Sequence, residues 1–203
     1  MIFTREYKEQ WNSFNKISFR LLFIYFVLYC FSKFMGAIWE TPIYWISKNI
    51  FSIQYEYSSN GYGSGDTTYQ YLTVFLLFCL AVTGTIIWSL IDFNRKSYNK
   101  LNYGFSTFLR VALVYYLLVY GLIKVFHLQM IPPTYDQLNK PLGEFSPMGL
   151  AWVFMGYSKG YSMFAGGAEV IAALFLIPRR TQTLGVIITI AVMLQVFVMN
   201  LCF

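Results

Sequence analysis

Five apolar runs punctuate this chain, at 21–39, 69–91, 105–126, 161–177 and 184–203. Each is close to the roughly 17–25 residues that a helix needs to cross a bilayer core of about 30 Å. In hydrocarbon every backbone N–H and C=O must be satisfied within its own segment or a closed barrel. Continuous apolar runs of this length, without strict alternation, favour helices. The expected fold class is therefore all-α, a multi-pass transmembrane helical bundle of about five spans. Charged residues make up only 12% of the 203, and mean hydropathy is +0.51. A soluble domain carries about 25% charged residues. Half that leaves too little polar surface to coat a globule in water, so lipid is the expected solvent.

The connections set the orientation. Residues 1–20 are polar and mixed in charge, and the run that follows lacks a small-residue cleavage site, so it is expected as an uncleaved span. With the N-terminus cytoplasmic, Arg5, Lys8, Lys16, Arg20, Arg95, Lys96, Lys100, Arg179 and Arg180 fall inside, nine cations against five outside. That asymmetry satisfies the positive-inside rule and places the protein in a cell (inner) membrane. The outer five are Lys48, Lys140 and Lys159, with Lys33 and Lys124 at span ends, where Lys33 can snorkel. Two longer segments lie outside. Residues 40–68 contain SSNGYGSGDTT, a turn-rich loop in which Asp66 or a following threonine caps the second span. In residues 127–159, Ser146–Pro147 is expected to start a short apolar helix lying in the interface.

Several chemistries are excluded on residue types. The net charge of +6 comes from cations flanking apolar runs, not from a basic stripe, so nucleic acid is not an expected partner. Cys30, Cys79 and Cys202 sit singly in apolar stretches, which argues against zinc, iron–sulfur and thioredoxin-type chemistry. His127 is the single histidine, so no bis-histidine haem and no metal site are expected. The glycine-rich loop lacks the P-loop lysine and so is not expected to cradle phosphate.

One residue stands apart. The stretch 160–178, GYSMFAGGAEVIAALFLIP, holds a single charge, Glu169. A carboxylate at mid-membrane depth costs roughly 2.5–3.5 kcal/mol on insertion scales, so such residues face protein, find a partner and mark function. In the third run, Arg110, Val114, Leu117, Gly121 and Lys124 recur at steps of three and four, so they share one helical face. Counting about 1.5 Å of rise per residue from the shared end puts Glu169 at roughly 12 Å and Arg110 at roughly 8 Å. Arg110, with its planar fork, is thus the expected partner of Glu169, and Lys124 is the second candidate. Ala165, Ala168 and Ala172 have the spacing that lets a neighbouring backbone approach. Gln195 and Asn200 are expected to hydrogen-bond between helices. Tyr115, Tyr116, Tyr120, Tyr157 and Tyr161 are candidates to line a ligand site.

The stretches LRVALVYYLLVYGLIKVF and AGGAEVIAALFLIPRRTQTLGVIITIAVM resemble DoxX-family membrane proteins. Arg110, Gly121, Lys124, Gly166, Glu169, Arg179, Arg180 and Thr181 match the family pattern. SGDTTYQY and SPMGLAWVFMGYSKGY look like a longer bacterial branch with extra N-terminal spans. The resemblance implies a two-span N-terminal hairpin with its outer Gly-rich loop over 1–104. A DoxX-like helical core then fills 105–203, with one last helix missing, so the chain is expected to be a truncated version of a longer one. It also implies an accessory, non-catalytic subunit of a quinone-linked membrane oxidoreductase. A membrane or peripheral redox protein is then the partner, and a quinone is the one cofactor in view. A structural Glu–Arg clamp without catalysis and a small proton-linked carrier are the alternatives. The carrier is disfavoured by the lack of inverted repeats.

Overall fold

Helices form at each apolar run and extend well beyond two of them. The computed structural model describes residues 10–32, 36–53, 67–129 and 131–202. In chain order these form α1 (Ser13–Ser32), α2 (Gly36–Asn49), α3 (Thr68–Ile91), α4 (Asn99–Val125), α5 (Tyr135–Asn139), a 3-10 turn (Leu142–Glu144), α6 (Pro147–Tyr157), α7 (Lys159–Leu176) and α8 (Gln182–Cys202). All regular structure among the described residues is helical. Arg5, Lys8, Lys33, Asp66 and the glycine-rich loop lie outside the described residues.

Four of the helices, α1, α3, α4 and α8, are long and apolar enough to cross a membrane. Their surfaces say the same thing as their composition. Leu90, Ile91, Val111 and Leu201 are exposed, with Ile91 at 81%. Exposed apolar side chains on helices of this length mark contact with lipid or protein. The helix α7 is not among the four. Its 18 residues span about 27 Å, but they include Lys159 and Glu169.

The chain divides into two compact units, Met1–Thr107 and Phe108–Phe203. In the first, α1 lies along α3, and a buried cation ties their ends together. Arg20 is 4% exposed. Its Nε and one terminal nitrogen donate to the Tyr98 hydroxyl at 2.9 and 2.7 Å, and the other donates to Ser89 Oγ at 2.8 Å. It also donates to the Asp92 carbonyl at 2.9 Å, while Tyr98 donates its own proton to Asp92 Oδ2 at 2.8 Å. Phe19 stacks on Tyr98, and Trp11 and Trp88 meet the same ring edge-on. Burial holds the Tyr98 phenol above its ordinary range, with Arg20 opposing and Asp92 adding to the effect. In the sequence Arg20 counts among the inner cations that flank apolar runs. It is an interior residue each of whose three side-chain nitrogens meets an acceptor, which is what makes a buried guanidinium tolerable.

This cluster explains where the helices start. The apolar runs begin at 21 and 105, but α1 starts at Ser13 and α4 at Asn99. Residues 13–20 and 99–104 are mostly polar and aromatic and contain no proline; Phe19 packs on Tyr98 and Phe105, and Trp11 Nε1 donates to Asn99 at 2.7 Å. Residues 40–68 were expected as loop, but the chain is helical over Gly36–Asn49, and Trp39 belongs to this helix and not to the first span. Ile43 and Ile46 bury one face of α2 against Leu72 of α3, with Trp39 and Tyr69 beside them. The cap of α3 falls on Thr67, whose hydroxyl accepts from the Gln70 N–H at 3.3 Å.

In the second unit, the expected short helix appears as α6, with Pro147 in its first turn and Ser146 Oγ accepting from Gly149 N–H at 3.1 Å. The end of α4 is closed by His127 at φ 55°. Its N–H donates to the Lys124 carbonyl at 3.1 Å, and Leu128 N–H donates to Ile123 at 2.9 Å. This is a Schellman closure, whose left-handed position ordinarily takes glycine. A β-carbon there costs about 1–2 kcal/mol. His127→Gly should therefore raise the melting point of the detergent-solubilised protein, with a gain of about 1 kcal/mol. An unchanged or lower melting point would show that the histidine side chain holds the turn.

Candidate functional site

The site is built on a close helix crossing in the second unit. A β-carbon added at Gly166 would lie 2.5 Å from the Gly121 carbonyl oxygen and 2.9 Å from the Val125 nitrogen. One added at Gly121 would lie 2.9 Å from the Gly166 carbonyl oxygen. Backbone therefore meets backbone, which only glycine permits. Leu117 of α4 packs with Ala172, Ala173 and Leu176 of α7, and Ile188 and Met193 of α8 close the same cluster. Residue numbers fall along α7 as they rise along α4, so the two helices run antiparallel.

That direction sets how the charged side chains point. Side chains lean toward the N-terminus of their own helix. In an antiparallel pair Lys124 leans back toward Gly121, and Glu169 leans toward Gly166, so the two converge. Lys124 Nζ donates to Glu169 Oε1 in a buried ion pair. Glu169 is 1% and Lys124 7% exposed. Arg110, the expected partner, leans away from Glu169 and donates instead to Gln182 Oε1 at the start of α8, at 3.1 Å. The preferred Arg110–Glu169 pairing is thus replaced by the second candidate. The depth count failed because the two helix ends are not level. Leu117 already lies beside Ala172, Ala173 and Leu176, so Arg110, about two turns earlier, falls past the end of α7 next to Gln182, and Glu169 comes level with Gly121 and Lys124.

The pair is fixed from both sides. The Ser162 hydroxyl donates to the Lys124 carbonyl at 2.9 Å, so α7 also caps the end of α4. Beside the pair opens a cavity of about 360 Å³. Met148, Trp152 and Met155 of α6, Phe164 of α7 and Val192 and Met199 of α8 give it apolar walls. Lys124, Glu169, Gln129, Tyr161, Gln195 and Asn200 supply its polar atoms. Gln195 Nε2 donates to the Tyr161 hydroxyl at 3.3 Å, the kind of interhelical bond expected of it. Glu169 Oε2 and Gln129 Oε1 are buried and meet no donor among the described residues.

Of the candidate tyrosines, Tyr161 stands in the cavity wall. Tyr115, Tyr120 and Tyr157 are exposed and lie outside it, as does Tyr116. Ala165 and Ala168 face the cavity, leaving Gly166 and Ala172 to make the close approach. Gln129 escaped sequence reasoning because it sits past the end of a span, where a polar residue is unremarkable. The wall from α6 escaped it because an interfacial helix gives no sign of what it covers. No group of three or more His, Cys, Asp or Glu that could hold a metal ion occurs among the described residues.

No family model matches this chain, and no solved structure matches it. It is similar to YwoB, an uncharacterised protein of Bacillus subtilis strain 168, with 34% identity over 96 residues. The match takes in 46% of this chain and 59% of that protein. The chain thus spans under two thirds of the relative it resembles.

Proposed function

We propose that this is a multi-pass protein of the cell membrane, N-terminus cytoplasmic, whose second unit binds a small lipophilic ligand against Lys124 and Glu169. The observation that carries this reading is a cavity with apolar walls ending on a buried, incompletely satisfied ion pair. Cavities of roughly 300–1,000 Å³ with a few convergent polar groups are the usual form of ligand sites. In this reading α7 is the fifth crossing, because Lys124 offsets the cost of placing Glu169 in lipid. The helix α6 lies at the outer interface, and nine inner cations hold the orientation.

The DoxX resemblance supplies the ligand class and role: a quinone, and an accessory subunit of a membrane oxidoreductase. The residues are compatible with such a group. Trp152 and Phe164 offer faces to a ring, Met148 and Met155 adapt to a chain, and Lys124 offers N–H donors to a ring carbonyl. Quinone bound there supplies electron-transfer chemistry; the chain's own residues hold and orient it. A decylquinone titrated into the detergent-solubilised protein should quench tryptophan emission saturably, and Trp152→Phe should reduce that quenching. A redox protein should also co-purify with the tagged chain. Absence of both saturable quenching and a redox partner would remove the redox role.

A second reading is favoured by the directness of the Lys124–Glu169 contact: a structural clamp with no ligand. The two readings differ in what survives when the pair is removed.

A further inference from the structure

We infer that the inner end of the second unit seats the phosphate of an anionic phospholipid, gripped by Arg110 with Arg180 beside it. The inference rests on α4 and α8 crossing a membrane in the proposed orientation, and not on the cavity or on what fills it. A contrast between two arginines points to it. Arg20 of the first unit and Arg110 of the second both stand near the start of an apolar run. Each of the three side-chain nitrogens of Arg20 meets an acceptor of its own unit. Arg110 donates from one terminal nitrogen to Gln182 Oε1 at 3.1 Å, and its other two nitrogens meet no acceptor among the described residues. It is half-buried. A guanidinium held in this way keeps most of its planar fork of donors for a group from outside the chain.

The charges of the unit leave the same gap. Its three acids are Asp136, Glu144 and Glu169. Glu169 is taken by Lys124, while Asp136 and Glu144 belong to the segment that follows the far end of α4. No carboxylate of the unit therefore stands at the end where Arg110, Arg179 and Arg180 lie. The bond to Gln182 brings Arg110 beside the turn between α7 and α8, because Gln182 opens α8 two residues after Arg180. That turn is stiff. Thr181 Oγ1 donates to the Phe175 carbonyl at 2.8 Å, and a β-carbon at Gly185 would lie 2.8 Å from the Leu176 nitrogen. The start of α8 is thus pressed on the end of α7, and Arg179 and Arg180 are exposed on the link. A phosphodiester fits this arrangement. Its two free oxygens match the guanidinium fork, and its charge answers cations that lack a carboxylate. The inner leaflet presents such groups at the height of the turn, where Arg110 reaches them by snorkelling.

The test titrates the purified full chain in detergent with dioleoylphosphatidylglycerol or dioleoylphosphatidylcholine and counts bound lipid by native mass spectrometry. The first phosphatidylglycerol should bind about tenfold more tightly than phosphatidylcholine. Arg110→Gln and Arg180→Gln should each cut that preference about fivefold, the effect of one cation at the surface. Arg180 is exposed, so its variant carries the decision if Arg110→Gln fails to fold. Arg110→Lys separates a seated phosphate from diffuse attraction. It keeps the charge without the fork, and should still lose about threefold. Lys159→Gln, at the other end of α7, should change nothing. Equal binding of the two lipids would overturn the inference, as would a preference untouched by Arg110→Lys or lowered equally by Lys159→Gln. Displacement of bound phosphatidylglycerol by millimolar inorganic phosphate would overturn the lipid in favour of a soluble anion. Release of the chain from cell membranes by alkaline carbonate would instead remove the membrane reading beneath it.

Discussion

Alanine at Gly166 should cost the second unit about 3 kcal/mol, while alanine at Gly167 should be neutral or stabilising by about 0.5–1 kcal/mol. The two positions are adjacent in one helix and differ only in what a methyl group would meet. At Gly167 nothing lies within 4 Å. At Gly166 the methyl would meet backbone, with the Gly121 oxygen at 2.5 Å and the Val125 nitrogen at 2.9 Å, as well as Lys124 Cβ at 2.8 Å. No rotamer change relieves such a clash, so α4 and α7 have to separate. Separation also draws Lys124 from Glu169, which adds the cost of loosening a buried ion pair. Gly121→Ala should fall between the two, because one of its close neighbours, Val170 Cγ2 at 2.9 Å, is a side chain that can yield. Thermal unfolding in detergent would rank the three variants. Equal melting points for Gly166→Ala and Gly167→Ala would mean that the helices do not cross at these glycines.

The same crossing shows what a sequence can and cannot carry. The face formed by Val114, Leu117, Gly121 and Lys124 was legible because helical period alone puts those residues together, and that face does pack on α7. Glu169 was legible because a charge in an apolar run is conspicuous, and 1% exposure agrees with burial against protein. Its partner was not, because the choice between Arg110 and Lys124 depends on how far α4 runs past the end of α7, which only the packing of Leu117 on Ala172, Ala173 and Leu176 fixes. Arg20 was hidden for a different reason. A cation at the edge of an apolar run looks the same whether it meets water or Tyr98, and only the tertiary position of residues 89–98 distinguishes the two. Helix α2 was masked because the turn signal of SSNGYGSGDTT was extended back to residue 40, over a stretch where helix runs on through Pro42. The cavity was invisible from any one segment, since α4, α6, α7 and α8 each contribute a part of its wall.

Removing one member of the ion pair should be far worse than removing both. Glu169→Leu strands the Lys124 ammonium at 7% exposure, and Lys124→Met strands a carboxylate at 1% exposure whose Oε2 already lacks a donor. Each single change should cost about 3–5 kcal/mol, the usual penalty for an uncompensated buried charge. The double variant Lys124→Met, Glu169→Leu places two apolar side chains of similar volume in contact, and should lie within about 1–2 kcal/mol of the parent. The coupling in that double-mutant cycle is then several kcal/mol, well beyond the roughly 0.3–0.5 kcal/mol scatter seen for independent sites. Additive losses would show that the two groups do not act as a pair. The same variant separates the two functional readings, because it keeps the crossing at Gly121 and Gly166 while erasing the charges. If Glu169 is only a clamp, the double variant inserts, folds and co-purifies with whatever the parent does. If the pair is the polar end of a ligand site, the variant folds equally well but loses saturable binding of decylquinone, because the charges that held its head are gone.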